Sequence, residues 1–371
     1  EVYDYRSKYL PGLSRKITPI DLGESDINAI RAECERLFHT LGFHVYARID
    51  GFIKPDGSII LNDPNTTSGM LPSSFFFHQA AEIGLNPSQF LTYIIRASLQ
   101  ERLAEQPGQD GFRKLMERLD EQIVTLRATA TERKRIAVIM GGYSFERHIS
   151  VESGRNIFEK LASSDKYEPI PVFLSGDEKN YELWQIPINL MLKDNADDIR
   201  DKILHWKLHP VVEAIKVDCA EITGKYASRD VVFAPKRLSF DDLKQSVDGV
   251  FVALHGRPGE DGQVQMALDA KGIPYNGSGV RSSSITIDKF RTLQTLKKNG
   301  FPIAQQLLVK KAEYEANSMD FFNRIETMFG YPVVAKPVDD GCSSAVKVID
   351  HRAELEAYTR LIFRPEGQEG E

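Results

Sequence analysis

A chain of 371 residues is too long for one ordinary core, so two or three domains are expected. Its 42% hydrophobic and 27% charged residues lie in the range of globular proteins, and a net charge of -6 gives no basic footprint for nucleic acid. Three scattered cysteines, Cys34, Cys219 and Cys342, lack CxxC spacing, which argues against a disulfide framework or a zinc site and suits a reducing cytoplasm. No apolar run approaches the roughly 18–20 residues of a membrane span, and a signal peptide is not expected from these residues. The first residues, EVYDYRSKYLPG, read as the interior of a loop, so a fragment is expected.

In chain order, the first block covers residues 1–105. INAIRAECERLFHTLG (27–42) has helical spacing of Ile27, Ile30, Leu37 and Leu41, with Gly42 as a stop. HVYARIDGFI (44–53) and SIILND (58–63) read as two strands joined by Lys54-Pro55-Asp56-Gly57, where Pro and Gly supply hairpin-turn dihedrals. Residues 88–103 read as a closing helix. Residues 106–132 form a helical linker: after the turn-rich QPGQDG comes a charged stretch with Leu115, Leu119, Ile123 and Leu126 at three- and four-residue steps. A solvated helix is the expectation there, with a coiled-coil contact the lesser alternative.

A second domain start falls at KRIAVIMGG (134–142), an apolar strand running into a Gly-Gly turn, as doubly wound α/β domains begin. The helix SVESGRNIFEKLA (150–162) and strand YEPIPVFLS (167–175) continue the alternation through a Rossmann-like domain over 133–279, with an insertion at about 176–247 that carries the helix ADDIRDKILHWK. DGVFVALHG (248–256) reads as a buried strand. Over 280–371 the pattern predicts a helix at 282–300, a strand at 303–311, a helix at 319–330, strands at 331–338 and 344–350, and a final helix.

Two stretches carry chemistry on their face. GGYSFERHISVESG (141–154) puts glycines before a helix N-terminus, which suits an anionic or zwitterionic ligand, with Glu146 as an acid at its start. VALHGRPGEDGQVQMALDAKGIPYNGSG (252–279) ends a strand at His255-Gly256 and continues as an acidic Gly loop, where open α/β sheets place ligands.

These stretches, with TIDKFRTLQTLKKNGFPIA and YPVVAKPVDDGCSSAVKV, resemble the D-alanine–D-alanine ligase family in that family's own order. The first block resembles its far C-terminal part, through YDYRSKYL, YARIDGF and LNDPNTTSGMLPSSFFF. The resemblance implies an α/β ATP-grasp fold, with 1–105 a C-terminal ATP-grasp subdomain, 133–279 a Rossmann-like substrate domain and 280–371 an incomplete central subdomain. It also implies ligation of two D-alanines, with ATP and Mg²⁺ (or Mn²⁺), for peptidoglycan precursors in the cytoplasm. The expected partners are D-alanine, ATP and a second copy in a homodimer. Alternatives are a ligase using D-lactate, D-serine or another amino acid, and a non-catalytic ligase-like unit.

Carried over residue by residue, Asp50, Asp63 and Asn65 match the family's Mg²⁺ ligands, hard oxygen donors on adjacent strands. Arg48 and the Gly69 N–H match an oxyanion hole. Ser74 and Phe75 match the positions that hold the second D-alanine's carboxylate, and Glu146 with His255 the site of the first D-alanine's ammonium. Lys289, Lys336, Lys8 and the loop at Gly341, Ser343 and Ser344 match phosphate contacts, and apolar strand neighbours are expected to hold Lys336 in place. Tyr9 matches the tyrosine that closes over the site in a triad with Glu146 and a loop serine, here Ser343 or Ser344. Three positions depart from the pattern: Asp63 for a usual Glu, Ser68 for a usual Pro, and Cys342 for a serine. The order departs too, since the C-terminal piece comes first. A tandem fusion, in which a fresh unit starts after the linker, is expected over a permuted ligase, and the adenine-gripping segment is expected after residue 371.

Overall fold

The computed structural model describes residues 17–70, 74–192, 195–339 and 345–363. The chain folds as two compact units, the first holding residues up to Tyr143, Arg147–Leu254 and Ala267–Asn276, the second Ser144–Glu146, His255–Met266 and the chain from Gly277 on.

The first unit opens with helix α1 (Glu24–Thr40), which stops at Leu41 with Gly42 at φ 65°, as its periodicity predicts. Strands β1 (Arg48–Ile53) and β2 (Ile59–Asn65) form the expected antiparallel hairpin. Its turn is closed by Gly57 N–H to the Lys54 carbonyl at 2.9 Å and by Ser58 N–H to the Asp56 carboxylate at 2.9 Å, with Gly57 at φ 81°. Helices α2 (Phe75–Glu82), α3 (Pro87–Glu105) and α4 (Asp110–Ala128) follow. α3 starts with Pro at its first turn behind a reciprocal Asn86–Gln89 capping box, which fixes the boundary that periodicity left open.

Helix α4 is not solvated all round. Ile123 is buried, and Asp120 accepts from Arg96 Nε at 2.6 Å and from Lys225 Nζ at 2.8 Å, tying α4 to α3 and to the segment ending at Tyr226. A single apolar stripe among charged residues has room to dock one face, and here it does.

Beyond the linker a five-stranded sheet runs in the order β6-β5-β4-β3-β7. Strands β3 (Lys134–Gly141), β4 (Tyr167–Gly176) and β7 (Gly249–Val252) are parallel, while β5 (Tyr181–Gln185) and β6 (Lys236–Leu238) pair antiparallel at one edge. Residues 137–140 of β3 are fully buried, as expected of a central parallel strand covered on both faces. The helix Arg147–Ala162, α5, packs so closely that a Cβ on Gly154 would lie 2.6 Å from Met140 Cβ. The 176–247 stretch supplies the two antiparallel strands as well as the expected helix, α7 (Ala196–Leu204), preceded by the short α6 (Ile188–Met191) and followed by α8 (Pro210–Asp218), α9 (Ala220–Tyr226) and α10 (Phe240–Ser246).

One core joins the first block to this sheet. Phe77 and Ala81 of α2 are buried in the same cluster as Val138, Met140, Phe158 and Phe173. Polar contacts fix the same seam: His78, fully buried, meets the Leu192 carbonyl at 2.7 Å, and Asn189 Nδ2 donates to Glu82 at 2.9 Å.

Helix α11 (Gln263–Lys271) closes the Gly-rich stretch. In the second unit the helix expected over 282–300 is two helices, α12 (Val280–Thr286) and α13 (Lys289–Lys298), because Asp288 caps the second by accepting from Arg291 N–H at 2.7 Å. Residues 303–310 are extended but unpaired among the described residues. Leu307 and Val309 alternate inward against the core, but a strand also needs a ladder partner. That core consists of Phe321, Phe322 and Ile325 of α15 (Ser318–Phe329), Ile349 and Leu355, with the short α14 (Lys311–Ala316) alongside through Tyr314. Strands β8 (Val333–Ala335) and β9 (Lys347–Ile349) form an antiparallel pair, and α16 (Arg352–Ile362) packs behind it, with Arg352 bound to Glu326 at 2.6 Å and lying over the Phe322 ring at 4.6 Å.

Candidate functional site

The hairpin brings together four of the residues singled out in the sequence. Arg48 faces Asn65 across the ladder, but the register slips between Ile49 and Asp50, so that Ile49 pairs with Pro64 while Asp50 pairs with Asn62. Asp63 is the extra residue of this bulge, in the left-handed region at φ 51°. The bulge turns its carboxylate to Arg48, with Arg48 Nη2 3.6 Å from Asp63 and Arg48 Nε 3.5 Å from Asp50. Asn65 donates through Nδ2 to the Asp63 carbonyl at 2.8 Å, which holds the bulge and leaves its amide oxygen as an acceptor.

These residues suit a hard divalent cation. The two carboxylates share one cation, the Arg48 guanidinium, at distances longer than a charge-assisted hydrogen bond, so neither is committed to a tight partner. Two carboxylates and an amide oxygen are the sparse protein set that magnesium takes when phosphate and water complete its shell. Among the described residues no group of three or more His, Cys, Asp or Glu could hold a metal by itself.

At the start of α2, Ser74 is the N-cap residue, yet its hydroxyl makes no capping bond and is buried with no hydrogen-bond partner among the described residues. A buried hydroxyl beside the free N–H groups of a helix start has donors that suit an anionic group. Phe75 is half exposed next to it, edge-on to His78. Gly69 is exposed, and a Cβ there would meet nothing within 4 Å among the described residues, so crowding by them does not require its glycine.

In the second unit, Glu146 and His255 are brought together by a serine that the sequence reading did not single out. Ser144 Oγ donates to the His255 carbonyl at 2.8 Å and accepts from the Glu146 N–H at 3.1 Å. Gly256 sits at φ 67°, where a Cβ would lie 2.8 Å from Ser144 and 3.3 Å from the Glu146 carboxylate. The glycine is therefore needed twice, for its backbone conformation and for the approach of Glu146. His255 Nδ1 lies 4.0 Å from Glu260, whose N–H bonds back to the Gly256 carbonyl at 2.8 Å and folds the acidic loop tightly. A hydroxyl two residues before an acid is a local signal that could have pointed to Ser144. Arg257, likewise not singled out, is bound to Asp339 at 2.6 Å.

Lys289 is the first residue of α13, half-buried, with its N–H on the Val338 carbonyl at 2.9 Å. Lys336 corrects an expectation. It lies just past β8 and is exposed, and the apolar residues on its own face, Val334 and Val348, are exposed as well, so they do not hold it. Strand alternation explains this, because Val333, Ala335 and Ile349 take the inward face. Lys8, Tyr9, Gly341, Cys342, Ser343 and Ser344 lie outside the described residues. Among the described residues no helix is long and apolar enough to cross a membrane.

The family models that match this chain divide it differently from its two compact units. The family model described as the D-ala D-ala ligase N-terminus matches residues 135–278, and that described as the D-ala D-ala ligase C-terminus matches 1–96 and 295–368, on either side of it. The chain is 33% identical over 221 residues to a D-alanine–D-alanine ligase of Caldicellulosiruptor bescii, covering 60% of this chain and 54% of that protein. It is 29% identical over 222 residues to one from Pelodictyon phaeoclathratiforme, covering 60% and 57%. Among solved structures, the VanG D-Ala:D-Ser ligase of Enterococcus faecalis matches with a TM-score of 0.44 at 23% identity, over 62% of this chain and 60% of that one. The chain thus spans a little over half the length of these curated relatives. Its α/β fold is of the ATP-grasp class, with a Rossmann-like domain beside ATP-grasp elements. The chain belongs to the D-alanine–D-alanine ligase family.

Proposed function

We propose that this chain serves the ATP-dependent joining of two D-alanines into D-alanyl-D-alanine for cell-wall precursors. The carboxylate of the first D-alanine takes the γ-phosphoryl group of ATP, giving an acyl phosphate and ADP. The amine of the second then attacks the acyl carbon, and phosphate leaves as the tetrahedral intermediate collapses.

The observation that carries this reading is the bulged hairpin, which sets Arg48 beside Asp50, Asp63 and Asn65, as charge-neutralising phosphoryl chemistry needs. Asp50, Asp63 and Asn65 would hold Mg²⁺, whose chemistry is to neutralise polyphosphate charge and polarise the transferred group. Arg48 and the Gly69 N–H are assigned to the oxyanion of the tetrahedral intermediate. The unpartnered Ser74 hydroxyl, with Phe75 beside it, supports a role in holding the second D-alanine's carboxylate. Glu146, oriented through Ser144 and with His255 nearby, is assigned the ammonium of the first D-alanine. Lys289, Lys336, Lys8 and the backbone of Gly341, Ser343 and Ser344 are assigned to the phosphates, and Tyr9 to closure over the substrates. The active protein is assigned as a homodimer in the cytoplasm.

The test is phosphate release by the full-length protein with D-alanine as sole amino substrate, with the dipeptide identified by mass. The expected result is phosphate and dipeptide in equal amounts, both abolished by Asp50→Ala. Phosphate release that does not depend on D-alanine would overturn the reading.

A further inference from the structure

The first unit holds a cavity of about 190 Å³ where strands β3 and β4 begin, and none of the residues assigned above lines it. Its wall is made by one face of α4 and the turn after it, the start of α3, the end of α5, the first residues of both strands, Gln185, Ile186 and Ile188, and the segment 225–232. It contains five cationic side chains, Arg127, Arg133, Arg135, Arg229 and Lys225, against three carboxylates, Asp165, Glu168 and Asp230.

The positive charge exceeds the negative on this wall, and only two of the five cations are in ion pairs among the described residues. Lys225 is committed to Asp120, and Arg135 meets Asp230 at 3.6 Å. Arg127, Arg133 and Arg229 have no carboxylate within ion-pair distance among the described residues, and two of them are positioned by backbone oxygens instead. Arg133 Nη2 donates to the Leu126 carbonyl at 2.8 Å, and Arg229 Nη2 donates to the Arg127 carbonyl at 3.0 Å. Three guanidinium nitrogens, Arg127 Nη1, Arg133 Nε and Arg135 Nε, are buried with no hydrogen-bond partner among the described residues.

Guanidinium groups stay charged and only donate, so donors left buried at a cavity wall call for an acceptor from outside the chain. An oxyanion is the acceptor that matches their planar forks. The rest of the wall mixes polar side chains, Asn86, Gln89 and Ser228 among them, with apolar surface from Ile123, Phe158 and Tyr226. The volume equals about six waters of the bulk liquid, enough for a compact organic acid. Donors converging on one part of a concavity, with apolar surface beside them, fix the orientation of a small molecule that has a charged head.

We propose that this cavity binds a small organic anion, its carboxylate or phosphate head on Arg127, Arg133 and Arg135 and its compact apolar body against Ile123, Phe158 and Tyr226. The proposal stands on this unit alone and does not depend on the ligase reading.

Calorimetric titration of the full chain with benzoate and with phenyl phosphate tests it, and the stronger of the two identifies the head group as carboxylate or phosphate. At least one is expected to bind at one equivalent, and benzyl alcohol, which keeps the ring without the charge, at least tenfold more weakly. The Arg127 guanidinium makes no bond within the chain among the described residues, so Arg127→Gln is expected to fold normally and to weaken binding about tenfold. Arg133→Gln is expected to do the same where it folds. Lys289→Ala, a phosphate-contact candidate in the other unit, is expected to bind as the wild type does. Absence of binding by both anions at millimolar concentration would overturn the proposal. So would unchanged binding by Arg127→Gln, or binding lost in Lys289→Ala but kept in the arginine variants.

Discussion

Arg48 and Asp63 face each other at 3.6 Å across a hairpin whose register slips by one residue between them. Without the slip, Asp63 would be an ordinary ladder residue opposite Asp50. The bulge instead gives Arg48 two carboxylate neighbours. Asp63 is exposed, and a surface ion pair of this kind contributes at most about 1 kcal/mol to stability. Asp63→Ala is therefore expected to leave the melting temperature nearly unchanged and to lower D-alanine-dependent phosphate release by about 100-fold or more, because it removes a proposed ligand of the charge-neutralising Mg²⁺. Asp63→Glu, the residue usual in the family, is expected to retain activity. Steady-state kinetics beside a thermal melt checks both, and an Asp63→Ala protein with full activity would remove this residue from the reaction.

Gly256 and Gly277 offer a controlled comparison within one unit. Both have positive φ, 67° and 82°, so alanine at either brings the same class of backbone strain, about 1–2 kcal/mol. Only at Gly256 would the new Cβ press on Ser144 and the Glu146 carboxylate, whereas at Gly277 nothing lies within 4 Å among the described residues. Gly277→Ala is expected to lower stability with kinetics unchanged. Gly256→Ala is expected to lower stability further and to raise KM for D-alanine severalfold, because Ser144 and Glu146 must give way. Equal kinetics in the two variants would show that the close approach does not matter.

What was legible in the sequence follows from the range of the interactions involved. The hairpin could be read because Pro55-Asp56-Gly57 and its flanking alternation are local, and β3 could be read because a buried parallel strand is apolar throughout. The bulge at Asp63 could not, since it depends on how two strands slide past each other, and neither could the pairing of β5 and β6 from a stretch that looked irregular. The strand expected over 303–311 shows the converse, because alternation of Leu307 and Val309 reports a buried face and not a partner. In the candidate site, the motif letters supplied Glu146 and His255, but the hydroxyl of Ser144 that links them is a contact across 111 positions. Lys336 misled because apolar neighbours in sequence are not neighbours on its face of the strand.

Asp120 gives a pH dependence with a defined sign. Hydrogen bonds from Arg96 and then Lys225 hold its carboxyl down at about 2, against an ordinary value of 3.8. A depressed carboxyl contributes stability that is fully present above the unfolded value and is lost as pH falls from near 4 through 2. The side chain is about a third exposed, so solvent screening reduces the contribution to about 1 kcal/mol. Asp120→Asn is expected to lower stability by about that amount at pH 6, and the gap between wild type and variant is expected to narrow as pH falls toward 2. Urea unfolding at several pH values measures it, and a gap constant down to pH 2 would mean that the ionised pair contributes nothing.

Phe77 decides whether the first block and the sheet fold together. It is buried on α2, before the linker, yet it sits in the cluster that contains Val138 and Phe173 of the sheet. Both tryptophans of the chain, Trp184 and Trp206, come after the linker and pack against that same cluster. Their fluorescence therefore reports on the second block, whereas Phe77→Ala cuts a cavity from the first. Removing a buried phenylalanine costs about 3–5 kcal/mol, since the lost burial and the cavity both count. If the two blocks share one cooperative core, Phe77→Ala shifts the tryptophan unfolding midpoint by the full amount, and circular dichroism at the helix band shifts with it. If the blocks are independent units joined by a linker, as a tandem fusion predicts, the tryptophan midpoint stays where it is in the wild type while part of the helix signal melts early. The seam bonds at His78 and Asn189, like the buried side chains around Phe77, favour the first outcome.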